Sequence, residues 1–177
     1  MTTASTIPSL TMRAAGAGDT ALIADMHARS WAAAYRGIFP DAFLDHAMPA
    51  ERLAHWQARM AQPHAEGAEV MLAELAGVPV GFMCVVEPDA QGSVLLDHLH
   101  VMPAQKGSGA GSAMLKVAER WARERGARGL HLLVLEANVA AIGFYASRGW
   151  QLSARLDDRL AGIDVIALRY TKPLVPV

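Results

Sequence analysis

Leu99-His100-Val101-Met102-Pro103-Ala104-Gln105-Lys106-Gly107-Ser108-Gly109-Ala110-Gly111-Ser112 decides the architecture, because it joins an extended apolar run to an amphipathic segment through a glycine-rich turn. Upstream, Ser93 to Val101 reads as a long strand ending at Met102-Pro103. Downstream, from Gly111 to Arg125, Met114, Val117, Ala118 and Trp121 repeat at helical spacing, Glu119 and Arg123 are placed for an i,i+4 pair, and Gly126 supplies the stop. The turn then offers free backbone N–H groups at the positive end of a helix dipole, which suits an anion such as pyrophosphate. Glycine matters there because a side chain would hold phosphate oxygens off the backbone, while Lys106 and the Ser112 hydroxyl add a charged and a neutral donor. A flexible strand-to-helix connector is the alternative for the same glycines. Two better-known phosphate loops fail. A dinucleotide fingerprint requires a third glycine where Ser112 stands, and a triphosphate loop requires a Gly-Lys-Ser/Thr ending that this turn lacks.

Toward the N-terminus, Leu10 to Arg13 reads as a short strand, Gly16-Ala17-Gly18 breaks the pattern, and Asp19 is placed to cap a helix running to Tyr35. Gly37 and Pro40 interrupt, Asp41 to His46 forms one more turn, and Pro49 starts a helix with Leu53, Trp56 and Met60 on one face. After a loop from Pro63 to Glu69, Val70 to Leu75 and Val80 to Val86 form a hairpin through Ala76-Gly77-Val78-Pro79. Toward the C-terminus, Leu130 to Leu135 is a strand. Asn138 opens a helix through Phe144 and Tyr145 to Arg148, and Trp150 to Arg155 and Asp164 to Tyr170 complete a sheet. The order is β-α-α-β-β-β-α-β-α-β-β, without internal repeat or linker. We expect a single domain over residues 1–177 with its core at about 10–171, and loose ends at Met1 to Ser9 and Lys172 to Val177.

Composition bounds the function. With 177 residues, 53% hydrophobic and 19% charged, the chain is an ordinary globular protein that can bury a substantial core. A net charge of -1 and a pI near 6.6 give no global attraction for nucleic acid or anionic lipid, so neither is expected as a partner. The one cysteine, Cys84, lies in the apolar run Phe82 to Val86 and cannot form an intrachain disulfide, which fits a reducing compartment. Met1 to Leu10 lacks a secretion signal and no apolar run approaches the ~20 residues of a membrane helix, so the expected location is cytoplasmic.

Leu99-His100-Val101-Met102-Pro103, Lys106-x-x-Gly109-x-Gly111 and Leu115 together resemble the central motif of the GNAT superfamily of N-acetyltransferases. Leu133-x-Leu135-x-x-Asn138-x-x-Ala141-x-x-Phe144-Tyr145-x-x-x-Gly149-Trp150 is similar to that family's second signature. The resemblance runs from Met12 to Tyr170 and is loose between Trp31 and Pro63. One departure is Lys106, where the family usually carries Arg or Gln; lysine keeps the charge of arginine without its planar fork. The resemblance implies an α/β fold: a mixed, mostly antiparallel seven-stranded sheet, helices on both faces, and a cofactor lodged where the fourth and fifth strands separate. It further implies acetyl-CoA as acyl donor, without a metal. Leu99, His100 and Val101 would offer backbone groups to the pantetheine arm. Lys106, Gly107, Ser108, Gly109, Ala110, Gly111 and Ser112 would take the pyrophosphate. Asn138 would bond the pantetheine, with Ala141 and Phe144 alongside; as a residue, Asn138 also suits a helix N-cap.

Tyr145 resembles the family's tyrosine proton donor, and with a reference pKa of ~10 it holds a proton for a departing thiolate at neutral pH. Core packing of its ring is the alternative. Asp97 occupies a strand position where some relatives carry a base. Alternation along Leu95 to Val101 points it with Leu99 and Val101, opposite His98 and His100. It is equally readable as a strand aspartate bonding neighbouring donors. His98-x-His100 has metal-ligand spacing, but no further ligand is evident, so no metal is expected; His27, His46, His55, His64 and His131 are scattered. For the acceptor side, Ser30-Trp31-x-x-x-Tyr35-Arg36-Gly37-Ile38-Phe39-Pro40-Asp41 resembles a branch with small-amine acceptors. Trp31 and Tyr35, with Asp41 and Asp45, could hold an amine, whereas Arg36 would suit a carboxylate-bearing acceptor. An aromatic core with a solvated acidic edge explains the same residues. The expected activity is acetyl transfer to the primary amine of a small molecule by direct attack in a ternary complex. A non-catalytic acyl-CoA sensor of the same fold is the alternative. Homodimers are common among such relatives, though no residue here specifies one.

Overall fold

The computed structural model describes residues 9–62 and 67–175. His64, most of the Pro63–Glu69 loop, and the expected tail from Met1 to Pro8 lie outside the described residues. The elements are β1 (Leu10–Ala14), α1 (Thr20–Tyr35), α2 (Met48–Ala61), β2 (Ala68–Leu75), β3 (Val78–Val86), β4 (Ser93–Val101), α3 (Ala110–Glu124), β5 (Gly129–Leu135), α4 (Val139–Ala146), β6 (Gln151–Leu160) and β7 (Ile163–Pro173). This is the expected order. The strands form one seven-stranded sheet in the order β1-β2-β3-β4-β5-β7-β6, antiparallel throughout except for β4 beside β5.

Both faces of the sheet are covered, which is why its central strands read as unbroken apolar runs. Successive side chains of β2 alternate between the faces. Val70 and Leu72, with Phe82 and Cys84 of β3, pack under Ile23 and Met26 of α1 and Trp56 and Met60 of α2. Met71 and Ala73, with Met83 and Val85, pack against Met114, Leu115, Ala118 and Trp121 of α3. Among the described residues, no helix is long and apolar enough to cross a membrane.

Several local expectations are corrected. The Asp19 carboxylate accepts from the Gly16 N–H at 2.8 Å and from the Arg13 guanidinium of β1, also at 2.8 Å, so it bonds no N–H of α1. The hairpin turn is only two residues, Ala76 and Gly77, at φ 51° and 77°, which matches the twist of the flanking strands. Pro79 therefore lies within β3, where a register shift between Ala73 and Glu74 of β2 accommodates it. Asp41 to His46 does not end before Pro49. A π-helical turn, Phe43–Ala47, runs directly into α2, and this wider turn precedes a proline that can supply no N–H. The C-terminal end is tied down as far as Leu174: Lys172 pairs with Leu130 and bonds Glu119 at 2.5 Å, and the Leu174 N–H donates to the Arg128 carbonyl at 2.9 Å.

Two irregularities of β4 position the site. Cys84 stands opposite His98 but Val85 stands opposite Leu96, so Asp97 is an extra residue in the ladder, a β-bulge. Val94, Leu96, Leu99 and Val101 keep to the α3 face, while His98 and His100 reach the α1–α2 face. Simple alternation would place Asp97 with Leu99 and Val101. Instead it meets Arg59 of α2 at 3.0 Å and lies 3.4 Å from His98 Nε2. Second, β4 and β5 pair only through Ser93, Val94 and Leu95 opposite Gly129, Leu130 and His131, and then diverge.

Candidate functional site

Where β4 and β5 part, a cavity of about 780 Å³ opens between them. Asp97, Leu99, His100 and Val101 wall one side and Leu132 to Leu135 the other. Lys106, Gly107 and the run Gly109 to Ser112 close one end; Asn138, Ala141, Phe144 and Tyr145 project from α4 and its cap. One face of α1 supplies His27, Ser30, Trp31, Ala34 and Tyr35, spaced as a helix repeats. The structure thus gathers nearly every residue singled out from the sequence. The exceptions are Ser108, whose hydroxyl accepts the Ala110 N–H at 3.4 Å, and Arg36, Asp41 and Asp45. Arg36 is turned away from the cavity and clamped to Asp41 at 3.0 Å and Asp45 at 2.7 Å, so none of these three is available there.

The glycines of the turn serve different ends. Gly107 and Gly109 have φ of 85° and 87°, a conformation other residues rarely adopt, and a Cβ on either would meet only open space. Gly111 is required by contact instead: a Cβ there would stand 3.0 Å from Phe144 Cζ. The first bond of α3 runs from the Ala113 N–H to the Gly109 carbonyl at 3.0 Å, so the N–H groups of Gly111 and Ser112 have no helical acceptor. Arg148 adds a cation that the sequence had not marked. It donates to Ser112 Oγ through Nε at 3.1 Å and Nη2 at 2.8 Å, and to the Phe144 carbonyl through Nη1 at 2.9 Å.

Asn138 does cap α4, accepting the Ala141 N–H at 3.1 Å, while its Nδ2 donates to Tyr35 Oη at 3.2 Å. One amide hydrogen remains. Tyr145 is buried against Trp150 and Phe144, and its hydroxyl makes no hydrogen bond to a described residue. Burial, with Tyr35 nearby, raises its pKa above the ordinary tyrosine value.

His27 joins His98 and His100, their nitrogens within 4.8 Å of one another, which completes the three-imidazole count missing from the sequence. Yet Trp56 Nε1–H donates to His27 Nδ1 at 3.0 Å. That lone pair is used, and the His27 proton sits on Nε2. Two imidazoles remain, fewer than a zinc site uses. Burial, reinforced by neighbouring cationic groups, pushes His98 and His100 down to about 3, so both are neutral.

Residues 28–150 match the acetyltransferase (GNAT) family. The chain belongs to the GNAT acetyltransferase family. A search of curated proteins by sequence finds no match. Among solved structures, the fold is similar to a GCN5-related N-acetyltransferase from Rhodopseudomonas palustris, at 27% identity and a TM-score of 0.75 over 96% of this chain and 97% of that one. It is also similar to the PaiA N-acetyltransferase of Thermoplasma acidophilum, solved with coenzyme A, at 17% identity and a TM-score of 0.75 over 94% and 99% of the chains. A third likeness is yncA from Salmonella typhimurium, solved with acetyl-CoA, at 22% identity and a TM-score of 0.67 over 96% of each chain. At the lower identities the likeness is one of fold. The bulged β4 and the cavity beside β5 therefore lie in a GNAT sheet of seven strands.

Proposed function

We propose that this GNAT protein transfers an acetyl group from acetyl-CoA to the primary amine of a small molecule, by direct attack in a ternary complex. The observation that carries this is one continuous cavity joining the unpartnered N–H groups of Gly111 and Ser112 to Tyr145 through the divergence of β4 and β5. The residues present fit the donor. Lys106, Arg148 and the turn N–H groups suit its phosphates, the unpaired edges of β4 and β5 suit the amides of its pantetheine arm, and the second Asn138 amide hydrogen is free to join them. Bound acetyl-CoA supplies the acetyl group as a thioester.

The amine nitrogen forms a bond to the acetyl carbon as the carbon–sulfur bond breaks, and the departing sulfur needs a proton. Tyr145 holds one on Oη. Its raised pKa keeps that proton in place through neutral pH, at the expense of acid strength. Asp97 is assigned a positioning role, because Arg59 engages its carboxylate. The acceptor ammonium sheds one proton to water in the open cavity before attack, and the nitrogen sheds a second as the amide forms, which through water restores the proton that Tyr145 gives to sulfur; the rate therefore rises with pH toward the amine's pKa. Trp31 and Tyr35 form an aromatic wall, their ring centres 4.8 Å apart, suited to an organic amine.

Calorimetry with acetyl-CoA, followed by thiol release with polyamines, aminoglycosides, amino acids and short peptides, tests this for wild type and Tyr145→Phe. Binding with turnover that falls about 10²-fold in Tyr145→Phe is expected. Binding without turnover of any amine would favour an acyl-CoA sensor, and absence of binding would overturn the donor assignment.

A further inference from the structure

The cavity carries cations at two ends. Lys106 and Arg148 stand at the glycine turn, where the phosphates of the proposed donor account for them. Arg52, from the first turns of α2, lines the cavity with His98 and His27, and nothing in the donor accounts for it. Among the described residues Arg52 Nε is buried without a hydrogen-bond partner, and no carboxylate of theirs lies within ion-pair distance of the guanidinium. The neighbouring cation, Arg59, has Asp97 at 3.0 Å. The other carboxylate of the cavity, Asp158 on β6, accepts the Arg159 N–H at 2.7 Å.

Buried polar atoms near Arg52 are orphaned as a group. Among the described residues His98 Nε2 and His55 Nε2, like Arg52 Nε, make no hydrogen bond, and the Asp97 carboxylate 3.4 Å from His98 Nε2 is engaged by Arg59. Arg52 shares the cavity lining with His27, His98 and His100, and His55 follows it by three residues on α2. An imidazole supplies no negative charge in either protonation state. A partly buried cation without a counter-ion is costly, and native folds pair nearly all buried polar groups. A cation left in this state on a ligand cavity is a place for the ligand's anion. One planar guanidinium fork matches one carboxylate.

We infer that Arg52, with the adjoining His98 imidazole, binds the carboxylate of the acceptor, so that the acceptor is an amino-acid-like molecule carrying both an amine and a carboxylate. This rests on the acetyl-transfer reading of the same cleft. The carboxylate recognition that the sequence suggested for Arg36 falls to a different residue, on the other side of the α1–α2 connection.

The test compares L-amino acids with their C-terminal amides as acceptors for wild type, Arg52→Gln and Arg52→Lys, with acetyl-CoA binding measured on each preparation. The amine of an amide is the more acidic, so intrinsic reactivity favours the amide and any preference for the acid reports the site. For the best acid, kcat/KM should exceed that of its amide at least tenfold. Arg52→Gln should lower that preference by about tenfold to a hundredfold, chiefly through KM, with acetyl-CoA affinity unchanged. Arg52→Lys should retain part of it. Equal rates for acids and amides, or an unchanged preference in Arg52→Gln, would overturn the inference while leaving acetyl transfer intact. In parallel, N-acetyl-L-amino acids titrated into the CoA-bound protein should shift the His98 ring protons saturably in wild type but not in Arg52→Gln; no saturable shift would also overturn it. Failure of acetyl-CoA to bind wild type would instead overturn the donor assignment, and the inference with it.

Discussion

Arg148 divides its donors among the Ser112 hydroxyl, the Ser147 hydroxyl and the Phe144 carbonyl while its guanidinium lies 3.8 Å from the centre of the Phe144 ring. A cation held from several directions loses little freedom on meeting a phosphate. Arg148→Gln should therefore weaken acetyl-CoA binding about 5- to 30-fold by calorimetry, with a loss that shrinks as salt is raised. Its place was partly legible in the sequence. Arg148 follows Phe144 by one helical turn, so a residue assigned to the cleft had a charged neighbour on its own face. Arg52 gave no such signal, since an arginine in an amphipathic helix reads as solvated until a cavity is found in front of it. The buried histidines carry a second consequence. His98 and His100 are held at about 3 against an ordinary 6.5, so the unfolded chain takes up their protons first. Stability from these groups is complete above about pH 6.5 and is lost as the pH falls toward 3, at roughly 1.4 kcal/mol per pH unit per histidine. Urea unfolding between pH 7.5 and 4.5 should show that slope, reduced in His100→Gln.

At the scale of elements, the order of strands and helices was readable because periodicity, glycine and proline punctuate it, and the two signature segments sit at strand ends. The bulge was not. A single extra residue leaves the apolar pattern of Leu95 to Val101 looking continuous, and only the partner strand's register reveals it. The misplacement of Asp97 followed from that. Asp97→Asn preserves the backbone and should lower kcat only a few-fold with the pH profile of kcat/KM unmoved. A shift of that profile would restore Asp97 as the base. Deleting Asp97 should close the ladder without exchanging faces, because Leu96, Leu99 and Val101 then alternate with His98 and His100 as they already do. Cooperative unfolding by circular dichroism should persist, at a midpoint lowered by the loss of the Arg59–Asp97 pair. The π-helical turn before Pro49 escaped for a similar reason, since helical spacing is too coarse to register one additional residue in a turn.

At the scale of the whole molecule, a donor that spans β4, the glycine turn and α4 ties together parts of the sheet that otherwise meet through three residue pairs. Acetyl-CoA at 100 times its Kd should add about 2.7 kcal/mol and raise Tm by roughly 5–10 °C in differential scanning calorimetry. The divergence of β4 and β5 also bears on solubility. Strand edges with unpaired N–H and C=O groups are where foreign chains add and aggregation begins, and proteins commonly blunt them with charge or proline. Here two such edges face each other in the middle of the sheet, roofed by α1 and flanked by α4. The outer edges of the sheet are β1 and β6, whereas these two inner edges open into the cavity, where an extended arm can pair with backbone that the sheet itself leaves unmatched.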